Sequence, residues 1–360
     1  MVEHHIAFRT DASSQIGTGH FMRCLTLADS LNGRGTRIRF ISRHLPDHLR
    51  SILVVKGHEL VLLDSVQNEL ALDELGHARW LGVSQTQDAV DSIRALSDGH
   101  WDWLIVDHYA LDSRWETMLR RTVKRLLVVD DIADREHDCD VLLDQNLYTD
   151  TKTRYTSKVP LHCKLLLGPR YALLRDEFKR LHDKIKPRSG PVRRVLVFYG
   201  GVDEDNYTGR TIELLFDINI RNLHVDVVIG AQHPCCEQIK SQCTQHGYVC
   251  YVQTDKMAEL MATADLAIGA GGSASWERCC LGLPALLIAL ADNQINIAKA
   301  LDVFGACIYV GRSGTTCIQD LRNAFCDLLN NPDRLKVLSD TAYSLVDGMG
   351  VDRVCQETGF

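Results

Sequence analysis

Residues 6–31 read IAFRTDASSQIGTGHFMRCLTLADSL and contain the segment that decides the fold. An apolar run at 6–8 is followed by the glycine turn Gly17-Thr18-Gly19 and then by a helix-like stretch at 25–31. This order predicts a strand, a tight turn and a helix, because two glycines around one residue let the backbone bend sharply and approach a ligand closely. The N–H groups at the start of that helix offer an anion site. The segment therefore predicts a ligand-binding α/β unit.

The same alternation of strands and amphipathic segments continues along the chain and indicates parallel βαβ units. A polar stretch with two prolines, 184–191, is the best linker candidate. We therefore predict an α/β protein of two facing doubly wound, Rossmann-like domains, residues 1–187 and 188–360. In an alternative arrangement the last helix packs back on the first domain. The predicted strands are 6–8, 37–42, 103–107, 126–130, 141–143, 195–199, 225–229, 249–252, 266–268 and 285–289.

The composition argues against several kinds of partner and site. The net charge is −7 and there is no long basic run, which argues against a nucleic-acid partner. No apolar segment approaches the roughly 20 residues that span a bilayer, so we expect no membrane insertion. The first residues show no signal-peptide pattern, and the 13 cysteines include no C-x-x-C pair. We therefore expect a cytoplasmic protein with reduced thiols and no structural zinc.

Ligands of open parallel sheets bind beyond the carboxyl ends of the strands. Several motifs come directly after predicted strands, so we expect them to converge on a cleft between the two domains. The motifs are Gly17–His20, Asp107-His108-Tyr109, Asp130-Asp131, Gly200–Asp203 and Gly269–Ser273.

His20 is the candidate catalytic group of the first domain. A neutral imidazole beside a glycine turn can accept a proton from water, as a general base must. Gly17 and Gly19 would bring the backbone close to the ligand, and Asp11 would orient the ring or bind a sugar hydroxyl. The alternatives are a plain strand-to-helix connection for Gly17–His20 and a turn or cap role for Asp11.

The second domain offers a nucleotide site. Gly271, Gly272 and Ser273 can present N–H and O–H donors to a diphosphate. Glu277 follows about one helical turn later, where its carboxylate can accept hydrogen bonds from ribose hydroxyls. The alternative for Glu277 is an acid that only favours the helix dipole. No Walker A lysine follows these glycines, which disfavours ATP hydrolysis of the P-loop kind.

Four further positions are candidates with open alternatives. Tyr109 follows a buried strand and is expected to line the site. Arg175, on the last helix of the first domain, is expected to neutralise a phosphate. The alternative is that it lies on a helix face exposed to solvent. Asn293 is a good helix N-cap that would also face the cleft. Asp130-Asp131 could hold magnesium, although paired acids also cap turns, and we expect no metal requirement.

Together these motifs resemble the family of UDP-sugar hydrolases of pseudaminic acid biosynthesis, which release UDP from UDP-2,4-diacetamido-2,4,6-trideoxy-β-L-altropyranose. The resemblance covers most of the chain, and its combination of motifs is specific although single pieces are not. The motifs are Asp11-Ala12-Ser13, Gly17–Arg23, Asp107-His108-Tyr109, Asp130-Asp131, His137–Asp140, Tyr171–Phe178, Gly200–Asp203, Ser273–Glu277 and Ala291–Gln294.

The resemblance implies a GT-B type fold, related to the glycosyltransferase that makes lipid II, and no cofactor. It implies that His20 is catalytic and that the substrate site is lined by Tyr109, Arg175 and Asn293. It also implies that UDP is held by Ser273, Glu277 and the backbone near Met257. Ala110 stands where the family commonly has glycine, which removes no functional group.

The expected reaction is an inverting attack of His20-activated water on the anomeric carbon of a UDP-sugar. Its product would enter pseudaminic acid synthesis, for flagellin or surface-polysaccharide glycosylation. Three alternatives remain: a GT-B glycosyltransferase with a UDP-sugar donor, a hydrolysing UDP-sugar 2-epimerase, and a non-catalytic UDP-sugar binding module. The oligomeric state is open, and a monomer is compatible with the sequence.

Overall fold

A computed structural model of the chain describes residues 4–13, 15–32, 35–64, 74–151 and 153–360. These residues form two compact units. Unit 1 is built from residues up to 146, from 150–173 and from 351–360, and unit 2 from 147–149 and 174–350.

Unit 1 is a doubly wound α/β domain. Its strands are β1 (His5–Thr10), β2 (Arg37–Ser42), β3 (Glu59–Leu62), β4 (Trp101–Asp107), β5 (Val123–Val129), β6 (Val141–Asp144) and β7 (Lys164–Leu167). Its α-helices are α1 (Gly19–Asn32), α2 (Asp47–Val55), α3 (Gln85–Ala95), α4 (Ser113–Leu119) and, at the end of the chain, α13 (Gly350–Thr358), and it also has two short 3₁₀ turns, Ala78–Trp80 and Pro169–Tyr171. The strands pair in parallel in the order β3-β2-β1-β4-β5-β6-β7.

Unit 2 repeats the architecture with six strands in its described residues. They are β8 (Arg194–Phe198), β9 (His224–Ile229), β10 (Val249–Val252), β11 (Leu266–Ala270), β12 (Ala285–Ala289) and β13 (Ile308–Arg312), in the parallel order β10-β9-β8-β11-β12-β13. Its helices are α5 (Asp176–His182), α6 (Tyr207–Ile218), α7 (Cys236–His246), α8 (Met257–Thr263), α9 (Ala274–Cys280), α10 (Asp292–Val303), α11 (Ile318–Leu329) and α12 (Pro332–Leu345). The predicted fold class of two doubly wound parallel-sheet domains is confirmed.

The strand orders explain where ligands can bind. In each sheet the order reverses once, between β1 and β4 in unit 1 and between β8 and β11 in unit 2. Loops that leave neighbouring strands at such a switch point diverge, and this leaves a crevice at the carboxyl end of the sheet. His20 follows β1 and Asp107 ends β4, while Ser273 follows β11. The candidate groups of each unit therefore lie at its switch point.

Alternating strand residues build the core of unit 1 on both faces of its sheet. Ile6 and Phe8 of β1 belong to one apolar cluster, and Ala7 between them belongs to the other. This is the alternation expected of a strand that is covered on both faces. Helix α13 contributes Val351 and Val354 to the first of these clusters, so the end of the chain is part of the core of unit 1.

Three strands are missing from the sequence-based prediction: β3, β7 and β13. Each lies at the edge of its sheet and is largely accessible to solvent on at least one side. Their apolar runs are short, and a short apolar run cannot be told from a loop or a helix segment by periodicity. The remaining edge strand, β10, is predicted although its apolar run is equally short.

The predicted linker is a firmly held part of unit 2. Arg188 is 8% exposed, and its backbone N–H donates to the hydroxyl of Ser339 at 2.6 Å. Burial lowers the pKa of the Arg188 guanidinium to about 10. The guanidinium donates to the carbonyl oxygens of Ala264, Met261, Ala262 and Leu281. The chain passes from unit 1 to unit 2 after Leu173, whereas the predicted domain boundary is 187/188. A polar, proline-rich stretch indicates irregular backbone, but it does not show that the stretch is exposed or that it joins two domains.

Replacing Arg188 by Met is expected to lower the free energy of unfolding by about 3 kcal/mol or more, because four carbonyl oxygens lose a donor and each buried unsatisfied group costs about 1–3 kcal/mol. Urea unfolding of the purified protein measures the change. The matched control is Arg180→Met, since the Arg180 side chain is 70% exposed and forms an ion pair with Asp176 on its own helix. Equal losses in the two variants would contradict this account of Arg188.

Candidate active site

His20 is the second residue of α1 and is 7% exposed. Its Nδ1 lies 2.6 Å from Oδ1 of Asp107, the last residue of β4. Although burial alone would raise the pKa of Asp107, the charges of Arg23 and His20 hold it below its ordinary value. An ionised carboxylate only accepts hydrogen bonds, so Nδ1 of His20 carries a proton, and in the neutral ring the lone pair is then on Nε2. Within the described residues Nε2 has no protein partner, which is the arrangement of a general base.

Arg23 fixes the carboxylate that holds His20. It lies one turn further along α1, and its Nε and Nη2 donate to the two oxygens of Asp107 at 2.5 and 2.7 Å. Its Nη1 donates to Asp131 at 2.8 Å. Residues three apart on a helix share a face, so the spacing of His20 and Arg23 is the sequence signal for this contact. Arg23 is not among the site residues predicted from the sequence.

Tyr109 is 4% exposed and packs edge-on against the ring of His20, with ring centroids 4.5 Å apart and an interplanar angle of 87°. Its hydroxyl donates to the carboxylate of Asp131. Burial, together with the charge of Asp131, raises the pKa of Tyr109, so the phenol stays protonated. Because this hydroxyl already binds Asp131, Tyr109 contributes its ring, which packs against His20 and can offer an apolar surface to a substrate.

Two aromatic neighbours of this pair were missed by the sequence analysis. Trp80 and His77 lie on and just before the 3₁₀ turn, and both are half-buried. The Trp80 ring stacks on Tyr109 at 5.6 Å, and the His77 ring lies 5.1 Å from Tyr109. No predicted strand precedes them, although Gly76 directly precedes His77, so the strand-end rule that led to His20 does not reach them.

The structure contradicts the prediction that Asp11 orients His20 or binds a sugar hydroxyl. Its side chain is fully buried, and Arg9 donates to both of its oxygens, at 2.7 and 3.1 Å. The backbone N–H of Arg43 donates to Oδ1 at 2.7 Å, and Nε2 of His108 lies 3.2 Å from Oδ2. Asp11 therefore joins β1 to β2 and β4 and is not free to bind a sugar. Arg9 and Asp11 are two residues apart on one face of a strand, which is the signal that identifies this pair.

The two glycines of the turn serve the backbone. Gly17 has φ of +77°, in the left-handed region that favours glycine, and its N–H donates to the carbonyl of Ser13 at 2.8 Å. Gly19 is the first residue of α1. The turn brings the helix start back over the end of β1 and so places His20 beside Asp107.

In unit 2, Gly271, Gly272 and Ser273 connect β11 to α9. A Cβ atom on Gly271 would lie 3.3 Å from Cβ of Ala298 and 3.4 Å from the carbonyl oxygen of Gln294, so the loop approaches α10 closely. The N–H of Gly272 donates to the hydroxyl of Ser275 at 3.3 Å. Ser273 is exposed at the start of α9 and its side chain makes no capping bond. Its hydroxyl is therefore available to a ligand.

Glu277 and Arg175 come together in unit 2. Nη2 of Arg175 lies 3.3 Å from Oε1 of Glu277, and Nη1 lies 2.9 Å from Glu177. Burial raises the pKa of Glu277, against the opposing charge of Arg175. Arg175 directly precedes α5 and belongs to unit 2, so its predicted place on the last helix of the first domain is wrong.

Asn293 and Met257 both lie at helix starts in unit 2. Helix α10 begins at Asp292 with Ala291 as its N-cap, so the prediction that Asn293 caps this helix is wrong. Asn293 is exposed in the first turn. Met257 is the first residue of α8 and its side chain is mostly buried, which leaves its backbone to contact a base.

The acidic pair after β5 is committed to protein contacts. Asp131 bridges Arg23 and Tyr109, and Asp130 pairs with Arg135 at 2.9 Å and accepts from Tyr155 at 3.0 Å. Across the described residues no group of three or more His, Cys, Asp or Glu side chains is suited to a metal ion. In the same residues no helix is long and apolar enough to cross a membrane.

Comparisons with known proteins agree with the motifs. Residues 195–347 match the model of the glycosyltransferase family 28 C-terminal domain. The chain is 23% identical over 82% of its length, and 95% of the relative's, to the UDP-2,4-diacetamido-2,4,6-trideoxy-β-L-altropyranose hydrolase of Campylobacter jejuni. It is also 24% identical, over 81% of its length, to the uncharacterised protein MJ1062 of Methanocaldococcus jannaschii, of which it spans 56%. The resemblance predicted from the motifs is thereby confirmed.

The fold agrees with a solved glycosyltransferase. MurG of Acinetobacter baumannii superposes with a TM-score of 0.67 at 15% identity, with 99% of each chain covered. At this identity the likeness concerns the fold alone. The chain therefore has the GT-B type of fold, with two parallel-sheet Rossmann-like domains.

Proposed function

We propose that this chain hydrolyses a UDP-sugar to UDP and the free sugar, and that its substrate is UDP-2,4-diacetamido-2,4,6-trideoxy-β-L-altropyranose. The observation that carries the proposal is the His20–Asp107 pair at the switch point of unit 1, in which Nε2 of the histidine has no hydrogen-bond partner among the residues that the structure describes. A binding module has no need of such a base, whereas an inverting transferase would use it on an acceptor hydroxyl, so the choice of water as the nucleophile rests on the hydrolase relative. The Campylobacter relative supports the choice of substrate.

The base acts on water. Nε2 of His20 takes a proton from a water molecule, and the oxygen attacks the anomeric carbon from the face opposite UDP. The bond between that carbon and the diphosphate oxygen breaks, its electron pair leaves with UDP, and the configuration inverts. Asp107 keeps the proton on Nδ1 and stabilises the imidazolium that forms. General-base assistance of this kind contributes about 10²–10⁴-fold.

Unit 2 binds the nucleotide in this proposal. The hydroxyl of Ser273 and the backbone N–H of Gly271 donate to the diphosphate, and the N–H of Gly272 exchanges its long bond to Ser275 for one to the same group. These donors stabilise the charge that develops on UDP. Glu277 accepts from the ribose hydroxyls, and the backbone at Met257 contacts uracil. Arg175 and Asn293, which lie on the same unit, add a charge and an amide toward the sugar diphosphate.

The direct test incubates the purified protein with UDP-sugars in buffer without an acceptor and follows UDP and free sugar. We expect equal amounts of both from the diacetamido-trideoxy substrate. Release of UDP only after an acceptor is added would favour a glycosyltransferase instead. Conversion to a C2 epimer would favour the hydrolysing 2-epimerase, and binding without turnover would favour a binding module.

Replacing Glu277 by Gln is expected to weaken UDP binding about 10-fold or more, because hydrogen bonds to a charged acceptor contribute about 1.5–3 kcal/mol. Titration calorimetry with UDP measures the dissociation constant. Glu177→Gln is the matched control, since it also removes a carboxylate from Arg175 but none from the proposed ribose site. Equal UDP affinities in Glu277→Gln and the unsubstituted protein would contradict the assignment, and so would an equal loss in the control.

A further inference from the structure

An aromatic group surrounds the candidate base, and the proposed chemistry does not use it. The rings of Trp80 and His77 are 4.5 Å apart, and both pack against Tyr109. The ring of Trp80 lies 6.4 Å from that of His20, nearly perpendicular to it at 73°. Trp80 and His77, hereafter the aromatic wall, thus stand beside the histidine without holding it by a hydrogen bond.

Both side chains of the aromatic wall have groups that could contact a ligand. Trp80 stacks one face on Tyr109 at an interplanar angle of 26° and remains half-buried. Nδ1 of His77 is buried and has no hydrogen-bond partner within the described residues. A buried nitrogen without a partner costs free energy, and such an atom usually marks a place where a ligand or water completes the site.

We propose that Trp80 and His77 form one side of the subsite that receives the sugar ring next to His20, and that they select a 6-deoxy sugar with acetamido groups. This inference rests on the proposed function. Trp80 packs against the C–H face and methyl groups of the sugar, and His77 exchanges a hydrogen bond with an acetamido group. The two side chains thus discriminate a 6-deoxy sugar with a second acetamido group from one that carries hydroxyls at those positions, such as N-acetylglucosamine.

The chemistry of the two side chains supports this selectivity. An indole provides a large rigid apolar surface, and each apolar contact that a methyl group makes with it removes area from water. A hydroxyl placed against the same surface loses hydrogen bonds to water and gains none, which rejects hydroxylated sugars. Burial lowers the pKa of His77, so at neutral pH its ring is uncharged and can donate from one nitrogen and accept at the other.

The competing explanation is that the rings only pack around Tyr109 and so position His20. The two roles differ in kinetics. A lost sugar contact raises KM for the cognate sugar and changes the preference between sugars, whereas a misplaced base lowers kcat for every sugar equally.

The experiment measures kcat and KM of Trp80→Ala, Trp80→Phe and His77→Leu with the diacetamido-trideoxy substrate and with UDP-N-acetylglucosamine. We expect Trp80→Ala to raise KM for the first substrate about 10-fold or more and to lower its preference over the second by a similar factor. Trp80→Phe should restore most of the loss. Arg79→Ala, an exposed neighbour on the same turn, is the control and should change neither constant.

Two further measurements separate the possible failures. UDP affinity, measured by calorimetry, should be unchanged in all variants, because the nucleotide is assigned to unit 2. If the unsubstituted protein hydrolyses neither substrate, the proposed function itself fails and the aromatic wall fails with it. If it hydrolyses the first substrate, but Trp80→Ala and His77→Leu both keep its KM and preference or lose only kcat, the assignment of the aromatic wall alone is overturned. His77→Leu, which should raise KM for the first substrate as Trp80→Ala does, decides the question if Trp80→Ala does not fold.

Discussion

Replacing His20 by Gln is expected to lower kcat for UDP release by about 100- to 10,000-fold, the range that general-base assistance contributes. The amide of Gln can reach Asp107 but cannot take a proton from water. A residual rate should remain, because UDP is a good leaving group and the proposed donors of unit 2 still stabilise it. Steady-state kinetics with the diacetamido-trideoxy substrate measures the loss.

The loss should be confined to chemistry. UDP should bind His20→Gln as it binds the unsubstituted protein, since no group of unit 1 is assigned to the nucleotide. His48→Gln, at an exposed position on α2, controls for the general effect of losing an imidazole. A kcat within threefold of the unsubstituted value for His20→Gln would remove His20 from the mechanism.

Replacing Asp107 by Asn is expected to lower kcat by about 100-fold or more while KM changes little. An amide can donate to Nδ1 of His20, which moves the ring proton to Nε2 and removes the lone pair that accepts a proton from water. Loss of about 10⁴-fold follows when an aspartate that orients a catalytic histidine becomes asparagine in a serine protease triad. The comparison of kcat with KM distinguishes this positioning role from a role in substrate binding.

The control for Asp107→Asn is Cys24→Ala. The thiol of Cys24 donates to Oδ2 of the same carboxylate at 3.6 Å, so its removal disturbs the surroundings of Asp107 without changing the proton on His20. Thermal unfolding of both variants accounts for lost stability, because Asp107 also binds Arg23. A kcat that falls equally in both variants, or a folded Asp107→Asn protein with normal kcat, would contradict the positioning role.

Much of the fold follows from local patterns. Apolar runs between glycine turns and amphipathic helices indicate the central strands and the doubly wound class, because a buried parallel strand must be apolar on both faces. The edge strands β3, β7 and β13 escape this reasoning because solvent covers part of each. Arg188 escapes it for the opposite reason, since a charged side chain in a proline-rich stretch is here satisfied by four buried carbonyls.

In the candidate site, too, local sequence patterns predict some features and only the folded structure reveals the others. His20 is predicted as a site residue because it follows a strand and a glycine turn, and Ser273 and Glu277 are predicted by the same rule. Asp107 and Asp131 are among the motifs expected to converge, but their contacts are not predicted, because Asp107 meets His20 and Asp131 meets Arg23 only after distant strands pair. Asp11 is misassigned for a related reason: its polar side chain at a strand end is used by Arg9, and only the paired sheet shows that it is buried.

The most direct test of the central claim, that His20 activates water for attack on the anomeric carbon, is hydrolysis of the UDP-sugar in ¹⁸O-labelled water. Mass spectrometry of both products locates the label, and NMR of the first-formed sugar gives its anomeric configuration. The account predicts ¹⁸O on the anomeric carbon of a sugar with inverted configuration and none in UDP. Label in the β-phosphate of UDP, or retention of configuration, would contradict it.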